Sequence, residues 1–322
     1  MAKDFVVGVD VGGQTTKIGV VDARGDVLSQ TIIRSDVFGA DAKAYIAALA
    51  EAIKENIAQA GKTSEDIRGV GVGAPNGNYY TGEVAFAPNL AWAANGAVAF
   101  AKMLTEALGG MPVSLTNDAN AAAVGEMAYG AARGMKNFIM ITLGTGVGSG
   151  IVIDGKVLYG HDGFAGELGH VNVVREGRPC GCGRKGCLEA YCSAIGIART
   201  AREWLECSDE PSLLRLIDKE KLSSKDIYDA AKRGDKMALR LFDYTGTILG
   251  RSFADFIAFS APEAIVLFGG LARAKEFLYE PMLRAMNENV LNIWKDKVKI
   301  VFSQLKENDA AILGASALAW EL

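Results

Sequence analysis

Short apolar runs that end in glycine or asparagine recur along this chain, and longer segments with helical periodicity lie between them. The first three runs follow one another through tight turns, which is typical of an antiparallel meander. The predicted strands cover residues 4–11, 17–21, 27–33, 67–73, 112–116, 138–143, 150–153, 264–268 and 298–302. The predicted helices cover residues 41–60, 96–108, 119–129, 189–206, 224–233, 236–259, 274–291 and 309–320. This alternation predicts an α/β protein.

Two strand–turn–strand segments have the same pattern of apolar and glycine positions. The first is VVGVDVGGQTTKIGVVD at 6–22, and the second is FIMITLGTGVGSGIVID at 138–154. Gly12 aligns with Gly144, and the apolar positions on both sides coincide. We interpret the match as an internal duplication, which would place two glycine turns across one cleft. The alternative is a chance likeness between two ordinary strand–turn–strand units.

Composition and charge narrow the class of protein. The chain has 322 residues, so roughly two domains are expected. Its 34 basic and 38 acidic residues give a formal net charge of −4, which argues against a surface for nucleic acid or an anionic membrane. No apolar run approaches the ~20 residues that span a bilayer, and residues 1–10 read as the start of a strand rather than a signal peptide. A soluble, cytoplasmic protein is therefore predicted.

Three glycine turns follow apolar strands and together predict a nucleotide site. They are Gly12-Gly13, Gly144-Thr145-Gly146 and Gly269-Gly270. Glycine lets backbone N–H groups converge on phosphate oxygens, although a single turn of this kind is usually only a turn. Asp10 stands just before the first turn, where its carboxylate could hold Mg²⁺.

Other nucleotide-binding and hydrolytic motifs do not fit the spacing. Gly61-Lys62-Thr63 imitates the end of a Walker A loop, but Asn56 occupies the position of the first glycine and a helix precedes it. Gly61 is instead predicted to cap that helix. No G-x-G-x-x-G opens a helix after the first strand, and no G-x-S-x-G occurs. A Rossmann dinucleotide site and an α/β-hydrolase are therefore unsupported.

Asn117 and Asp118 join a predicted strand to a predicted helix. Both residue types are preferred helix caps, so a structural role alone would explain them. A carboxylate at a helix N-terminus also stays ionised, because it faces the positive end of the helix dipole. Such a carboxylate can act as the general base that takes a proton from a sugar hydroxyl. Phosphoryl transfer then depends mainly on alignment and on neutralising charge with Mg²⁺ and backbone amides.

The five cysteines all lie between residues 180 and 207. Such clustering in an intracellular chain points to metal or redox chemistry rather than to a disulfide framework. One histidine and a C-x-C-x₄-C run suit a closed tetrahedral zinc site, against the alternative of unrelated buried thiols. The ligands would be His170, Cys180, Cys182 and Cys187. Cys192 and Cys207 have unmatched spacing on a predicted helix, and we interpret both as small buried hydrophobic residues.

Two carboxylates, Glu167 and Glu189, flank this cluster. Each could be an ordinary solvated surface charge. If zinc fixes His170, it also fixes Glu167 on the same turn and Glu189 just past the last cysteine. That arrangement would suit the recognition of a polyol.

Several ordered motifs run through the whole chain. They are Asp10-Val11-Gly12-Gly13, Ala87-Pro88-Asn89-Leu90, Thr116-Asn117-Asp118-Ala119-Asn120, LGTGVGSG at 143–150, Gly166-Glu167-Leu168-Gly169-His170, CGCGRKGCLE at 180–189 and Phe268-Gly269-Gly270. On these motifs the chain resembles the ROK family of sugar kinases, and within it the bacterial glucokinase type. The E-x-G-H run followed by C-x-C-G-x-x-G-C-x-E is highly specific.

The resemblance implies a fold and a domain organisation. The fold would be the duplicated α/β fold of actin and hexokinase type (ribonuclease H-like), with two lobes around a cleft. The N-terminal lobe would cover 1–117 and would be joined by the closing helix 308–322. The C-terminal lobe, with its zinc-binding loop, would cover 118–307. A homodimer is the assembly that the resemblance implies.

The resemblance also implies an activity and its residues. The reaction would be ATP-dependent phosphorylation of a hexose, most of all glucose, at the 6-hydroxyl, with Asp118 as general base. The sugar would be bound by Asn89, Asn117, Asp118, Glu167, His170 and Glu189. Mg·ATP would be bound by Asp10, Gly12, Gly13, Gln14, Thr15, Gly144, Thr145, Gly146, Gly269 and Gly270. Structural Zn²⁺ would be bound by His170, Cys180, Cys182 and Cys187, with the second ring nitrogen of His170 left to donate to the sugar.

Two departures from the family pattern keep alternatives open. Gln14 stands where the family's D-x-G-G-T turn has threonine, so the phosphate donor is less certain than the fold. The loop 75–82 (PNGNYYTG) is unusually polar and aromatic, so the acceptor could instead be fructose or an N-acetylhexosamine such as N-acetylmannosamine or N-acetylglucosamine. A sugar-responsive repressor would need an N-terminal helix-turn-helix, whereas the first strand is predicted from residue 4. A non-catalytic sugar sensor is disfavoured, because Asp10, Asp118 and the metal ligands are all present.

Overall fold

The structure, a computed structural model, describes residues 3–322 and contains twelve strands and nine α-helices within that range. The strands are β1 (Phe5–Val11), β2 (Thr15–Asp22), β3 (Val27–Arg34), β4 (Ile67–Gly73), β5 (Val84–Ala85), β6 (Ala97–Val98), β7 (Val113–Thr116), β8 (Phe138–Leu143), β9 (Val147–Ile153), β10 (Lys156–Val157), β11 (Ala264–Phe268) and β12 (Lys299–Phe302). The helices are α1 (Ala42–Gln59), α2 (Phe100–Ala107), α3 (Asp118–Tyr129), α4 (Glu189–Cys192), α5 (Ala194–Cys207), α6 (Ser224–Lys232), α7 (Lys236–Ser260), α8 (Lys275–Asn289) and α9 (Glu307–Leu318).

Helix α1 begins and ends at the residues that its sequence predicts. The Asp41 side chain accepts a hydrogen bond from the Ala44 N–H at 2.9 Å and caps the first turn. Gly61 has a φ of 68°, and its N–H donates to the Ala58 carbonyl. The next N–H, from Lys62, donates to the Ile57 carbonyl at 3.1 Å. This pair of bonds is the common glycine ending of a helix, so the predicted cap at Gly61 is confirmed.

Two five-stranded sheets have the same internal order. The first is β3-β2-β1-β4-β7 and the second is β10-β9-β8-β11-β12. In the first sheet β4 runs parallel to both β1 and β7. In the second sheet β11 runs parallel to both β8 and β12. Since β1 corresponds to β8 and β2 to β9, the shared order confirms the internal duplication that the sequence repeat predicts.

The chain divides into two compact units. The first unit comprises the chain up to Lys136, Gly150–Gly166 and Ser303–Leu322. The second unit comprises Asn137–Ser149 and Glu167–Phe302. In this division α3 and α9 both belong to the first unit. The lobes expected from the sequence, 1–117 with 308–322 and 118–307, stay a prediction.

The first unit is held together by α9, which packs on β1, β4 and α3. At Gly71 in β4, a Cβ atom would overlap the Ala315 carbonyl oxygen of α9. The helix can therefore approach the sheet only because this strand position carries no side chain. Ile312 of α9 is fully buried together with Val6 of β1 and Val21 of β2. On the other face of the sheet, α1 covers a core that includes Ile18, Tyr45 and Leu49.

The second unit has its own core between the second sheet and a layer of helices. Helices α7 and α8 pack along each other, and α4, α5 and α6 also pack against α7. The core includes Ile141 and Leu267 from the sheet, and Phe242 and Phe253 from α7. All four of these side chains are buried.

Two expectations for residues 189–207 are wrong. The single helix predicted over 189–206 is broken at Ser193, whose ψ of 169° ends α4. The Ser193 hydroxyl accepts from the Gly196 N–H at 2.9 Å and starts α5. Cys192 is fully buried as expected, but Cys207 is exposed because it lies on the last turn of α5. Within residues 3–322, no helix combines the length and the apolar character that crossing a membrane requires.

Candidate functional site

The turn between β7 and α3 carries the predicted general base. The Asn117 side chain caps α3 by accepting from the Asn120 N–H at 2.7 Å. Asp118 is therefore the first residue of the helix, where the helix dipole favours a negative charge. Its Oδ1 accepts from the Ala119 N–H at 2.9 Å. Protein atoms crowd the carboxylate, and the resulting desolvation raises the pKa of Asp118 although the residue remains accessible to solvent.

Asp10 lies near the end of β1, opposite Lys17 of β2. Burial most of all, and then the negative charge of Asp118, raise the pKa of the Asp10 carboxyl; with the opposing effect of Lys17 included, the pKa is about 6. Asp10 and Asp118 are thus close enough to repel each other when both are ionised. Carboxylate oxygens are hard ligands, so two neighbouring carboxylates could bind Mg²⁺.

The first glycine turn connects β1 to β2 within the same unit. The Gly12 N–H donates to the Thr15 carbonyl at 3.0 Å and closes the turn around Gly13 and Gln14. A Cβ atom on Gly13 would lie 2.5 Å from the Asn89 carbonyl oxygen. The turn and Asn89 are therefore in direct contact. Gln14, Thr15 and Asn89 are exposed, so their side chains are available to a ligand.

The other two glycine turns meet within the second unit. Gly269 follows β11 with a φ of 105°, and a Cβ atom there would lie 2.6 Å from the Leu143 carbonyl oxygen. Leu143 ends β8 and leads into Gly144, Thr145 and Gly146. Only glycine fits position 269, because both its conformation and its contact exclude a side chain. The structure therefore brings these two glycine turns into direct contact.

A cavity of about 450 Å³ opens beside Gly270 in the second unit. Its walls include Lys225, Tyr228, Asp229, Phe242, Leu271 and Arg273. The Tyr228 hydroxyl donates to Glu276 Oε1 at 2.7 Å, which fixes the ring at the cavity wall. Sequence reasoning missed this contribution from α6. A tyrosine on an amphipathic helix has no local signal that distinguishes a ligand wall from an ordinary core contact.

His170 and three of the five cysteines lie close together in the second unit. The ligand atoms of His170, Cys180, Cys182 and Cys187 all lie within 4.8 Å of one another. Cys182 Sγ and Cys187 Sγ are 3.7 Å apart, and Cys180 Sγ is 3.8 Å from His170 Nδ1. Tetrahedral zinc with ordinary bond lengths would place such atoms about 3.5 to 3.8 Å apart. Both of these distances are close to that range, and the donor set of one histidine and three cysteines suits zinc.

The two ring nitrogens of His170 have different neighbours. Nδ1 points toward Cys180, whereas Nε2 lies 4.0 Å from Glu167 Oε2. A metal on Nδ1 would leave Nε2 as an N–H donor beside the Glu167 carboxylate. Glu189, at the start of α4, also lies beside the cluster, with Oε1 3.6 Å from Cys180 Sγ. The structure thus groups Glu167, His170 and Glu189 around the cysteine cluster as the sequence predicts.

Comparison with known proteins gives the family. The model of the ROK family matches residues 6–321, nearly the whole chain. The chain belongs to the ROK family. Its motifs from Asp10 to Gly270 are therefore ROK motifs, and its fold is the duplicated α/β fold of actin and hexokinase type.

Individual ROK proteins are similar over the same length. A glucokinase of Halalkalibacterium halodurans is 37% identical over 322 residues, covering 99% of this chain and 96% of that protein. A glucokinase of Thermotoga maritima is 36% identical over 326 residues, covering 100% of this chain and 99% of that protein. The crystal structure of a ROK glucokinase from Streptomyces griseus, in complex with glucose and AMPPNP, is 32% identical with a TM-score of 0.78. That comparison covers 99% of this chain and 100% of the other.

Proposed function

We propose that this chain is an ATP-dependent glucokinase, which transfers the γ-phosphoryl group of ATP to the 6-hydroxyl of glucose. The observation that carries the proposal is its likeness to glucokinases at 36% to 37% identity over the full length of both chains. The likeness to a glucokinase structure that holds glucose and AMPPNP supports both substrates. The products are glucose 6-phosphate and ADP.

Asp118 is the general base in this proposal. It accepts the proton of the 6-hydroxyl as the oxygen attacks the γ-phosphorus, and the bond from that phosphorus to the bridging oxygen of ADP breaks. The position at the first turn of α3 supports this role, because the helix dipole favours the ionised carboxylate. The raised pKa of Asp118 also makes it a better proton acceptor than an ordinary aspartate.

The nucleotide is assigned to the three glycine turns. The residues are Asp10, Gly12, Gly13, Gln14, Thr15, Gly144, Thr145, Gly146, Gly269 and Gly270. The cavity beside Gly270 supports this assignment, since Tyr228, Phe242 and Leu271 offer apolar surface for a base. Asp10 would hold Mg²⁺, which supplies positive charge to the phosphates when bound. Gln14 can still donate a hydrogen bond where other family members have threonine.

The sugar hydroxyls are assigned to Asn89, Asn117, Asp118, Glu167, His170 and Glu189. Carboxylates and a ring N–H suit this role, because hydroxyl groups both donate and accept hydrogen bonds. Zn²⁺ would be held by His170, Cys180, Cys182 and Cys187, and a closed zinc site of this kind supplies structural order when bound. It would fix the orientation of the His170 ring that the sugar contacts.

The proposal extends to the assembly and to partners. We propose a homodimer in the cytoplasm that acts on small molecules and does not bind nucleic acid. The formal net charge of −4 supports the last point. Gel filtration with light scattering would test the dimer directly.

A coupled assay of ADP release tests the function. Zinc-replete protein with Mg·ATP is supplied in turn with glucose, fructose, mannose, N-acetylglucosamine and N-acetylmannosamine. We expect glucose to have the highest kcat/KM. A preference for fructose or for an N-acetylhexosamine would retain the mechanism and replace the acceptor. Absence of turnover with every sugar would contradict the proposed activity.

A further inference from the structure

Arg178 lies two residues before Cys180, outside the set of proposed metal ligands and sugar-binding residues. We propose that Arg178 is a positioning residue. It holds the cysteine loop, residues 180–187, and Glu189 in the arrangement that binds metal and sugar. The part of this inference that concerns sugar rests on the proposed function. The part that concerns metal binding can be tested without any turnover.

The guanidinium group of Arg178 is held by helices α4 and α5. Nη1 donates to Thr200 Oγ1 at 2.8 Å and to the Ala190 carbonyl at 3.3 Å. Nη2 pairs with the Glu203 carboxylate. The guanidinium carbon also lies 4.5 Å from the centroid of the Tyr191 ring. The Arg178 side chain is only 10% exposed, so these contacts form in a largely desolvated place where they are strong.

The same residue connects to both ends of the cysteine loop through its backbone. The Arg178 N–H donates to the Tyr191 hydroxyl at 2.9 Å. Its carbonyl accepts from the Gly186 N–H at 2.8 Å, directly before Cys187. On the other side, the Pro179 carbonyl, directly before Cys180, accepts from Arg199 Nη1 at 3.2 Å. Arg178, together with Arg199, therefore holds the chain beside the first and last cysteines against α5 and against α4, whose first residue is Glu189.

The tip of the loop has little packing of its own. Cys182 is exposed, and added Cβ atoms at Gly181 and Gly183 would meet no other atom within 4 Å. Backbone hydrogen bonds within the loop, such as that from the Cys180 N–H to the Arg184 carbonyl at 2.8 Å, shape the tip. The side-chain contacts that hold the loop to helices α4 and α5 lie at its base, around Arg178. An ordered ligand set binds metal more tightly than a mobile one, because less conformational entropy is lost on binding.

A lysine cannot replace Arg178 fully. The planar guanidinium reaches Thr200, the Ala190 carbonyl and Glu203 at the same time, whereas an ammonium is a single point of charge. Glu203 is held in turn by Arg199, whose Nε donates to Oε1 at 3.0 Å. The arrangement thus depends on the shape of the arginine and not only on its charge.

The test measures zinc affinity of the full chain by competition with a chromophoric chelator. Arg178→Ala should raise the zinc dissociation constant by about 10- to 100-fold, as loss of residues that orient metal ligands commonly does. Arg178→Lys should fall between this variant and wild type. Arg175→Ala is the matched control, because Arg175 is an exposed arginine on the same segment. We expect the control to change zinc affinity by less than about twofold.

A zinc dissociation constant of Arg178→Ala within about twofold of wild type would overturn the inference. If Arg178→Ala does not fold, Tyr191→Phe replaces it, since that change removes only the hydroxyl that accepts from the Arg178 N–H. An unchanged zinc affinity in Tyr191→Phe would then be the contradicting result. Wild-type protein that binds no zinc at this cluster would also overturn the inference.

Steady-state kinetics separate this inference from the proposed function. With saturating zinc, Arg178→Ala should raise the KM for glucose more than the KM for ATP. If wild-type protein does not phosphorylate glucose, the proposed function fails, while a weaker zinc affinity in Arg178→Ala still supports the positioning role. If wild type is a glucokinase and Arg178→Ala binds zinc normally, only the inference fails.

Discussion

The backbone N–H of Val147 donates to Glu189 Oε2 at 3.0 Å, and this bond joins the second glycine turn to a residue that is proposed to bind the sugar. The same carboxylate oxygen occupies the space that a side chain at Gly146 would need. In the second unit, residues proposed to bind the nucleotide are therefore in direct contact with a residue proposed to bind the sugar. A substitution in this turn should therefore change the binding of the sugar.

Gly146→Ala tests this contact. The added methyl group must displace Glu189, so we expect a higher KM for glucose together with a lower kcat. Gly96→Ala is the matched control, because a Cβ atom there would meet nothing within 4 Å. Steady-state kinetics with glucose varied at saturating ATP measure both variants. Gly146→Ala with the kinetics of wild type would show that the two groups are independent.

The contact between Gly71 and α9 should control the stability of the first unit. Gly71→Ala places a methyl group against the Ala315 carbonyl of a helix that cannot retreat without exposing Ile312. We expect a loss of about 1 to 3 kcal/mol in the free energy of unfolding, or more if the helix detaches. Urea denaturation followed by far-ultraviolet circular dichroism measures it, with Gly96→Ala again as control. An unchanged midpoint would mean that α9 packs less tightly on β4 than described.

Much of this architecture could be predicted from the sequence, because it depends on local patterns. Strand–turn–strand segments at 6–22 and 138–154 share their periodicity, and the two sheets share their strand order. The Asp41 and Gly61 caps of α1 also follow from residue type alone. The cysteine and histidine cluster was visible because its spacing is unusual and its members lie close in the chain.

Features that depend on tertiary packing could not be predicted in this way. The break at Ser193 interrupts a segment with continuous helical composition and separates α4 from α5. Tyr228 lines the cavity only because of where α6 packs. Arg178 has no motif, and its role becomes visible only when α4 and α5 surround it.

The pH dependence of the reaction should report the interacting carboxyls of Asp10 and Asp118. The raised pKa of about 6 means that Asp10 gains a proton as the pH falls through that value. The protonated acid no longer suits Mg²⁺, so kcat/KM should decline on the acidic side of about pH 6. An unperturbed aspartate, with a pKa of 3.8, would leave this region flat.

The measurement is a pH–rate profile with saturating magnesium. Tryptophan fluorescence at each pH checks that the protein stays folded. A flat profile from about pH 7.5 down to 5 would contradict the environment described for Asp10 and Asp118. Because the two carboxylates interact, the observed value belongs to the pair rather than to either residue alone.

The most direct test of the proposed mechanism is the turnover of Asp118→Asn with glucose and Mg·ATP, measured beside wild type. Asparagine keeps the size and a hydrogen-bonding group at the start of α3 but cannot accept the proton. We expect kcat to fall by about 10²- to 10⁴-fold, while isothermal titration still detects glucose binding. An Asp118→Asn variant that binds glucose and keeps more than about a tenth of the wild-type kcat would contradict the assignment of Asp118 as the general base.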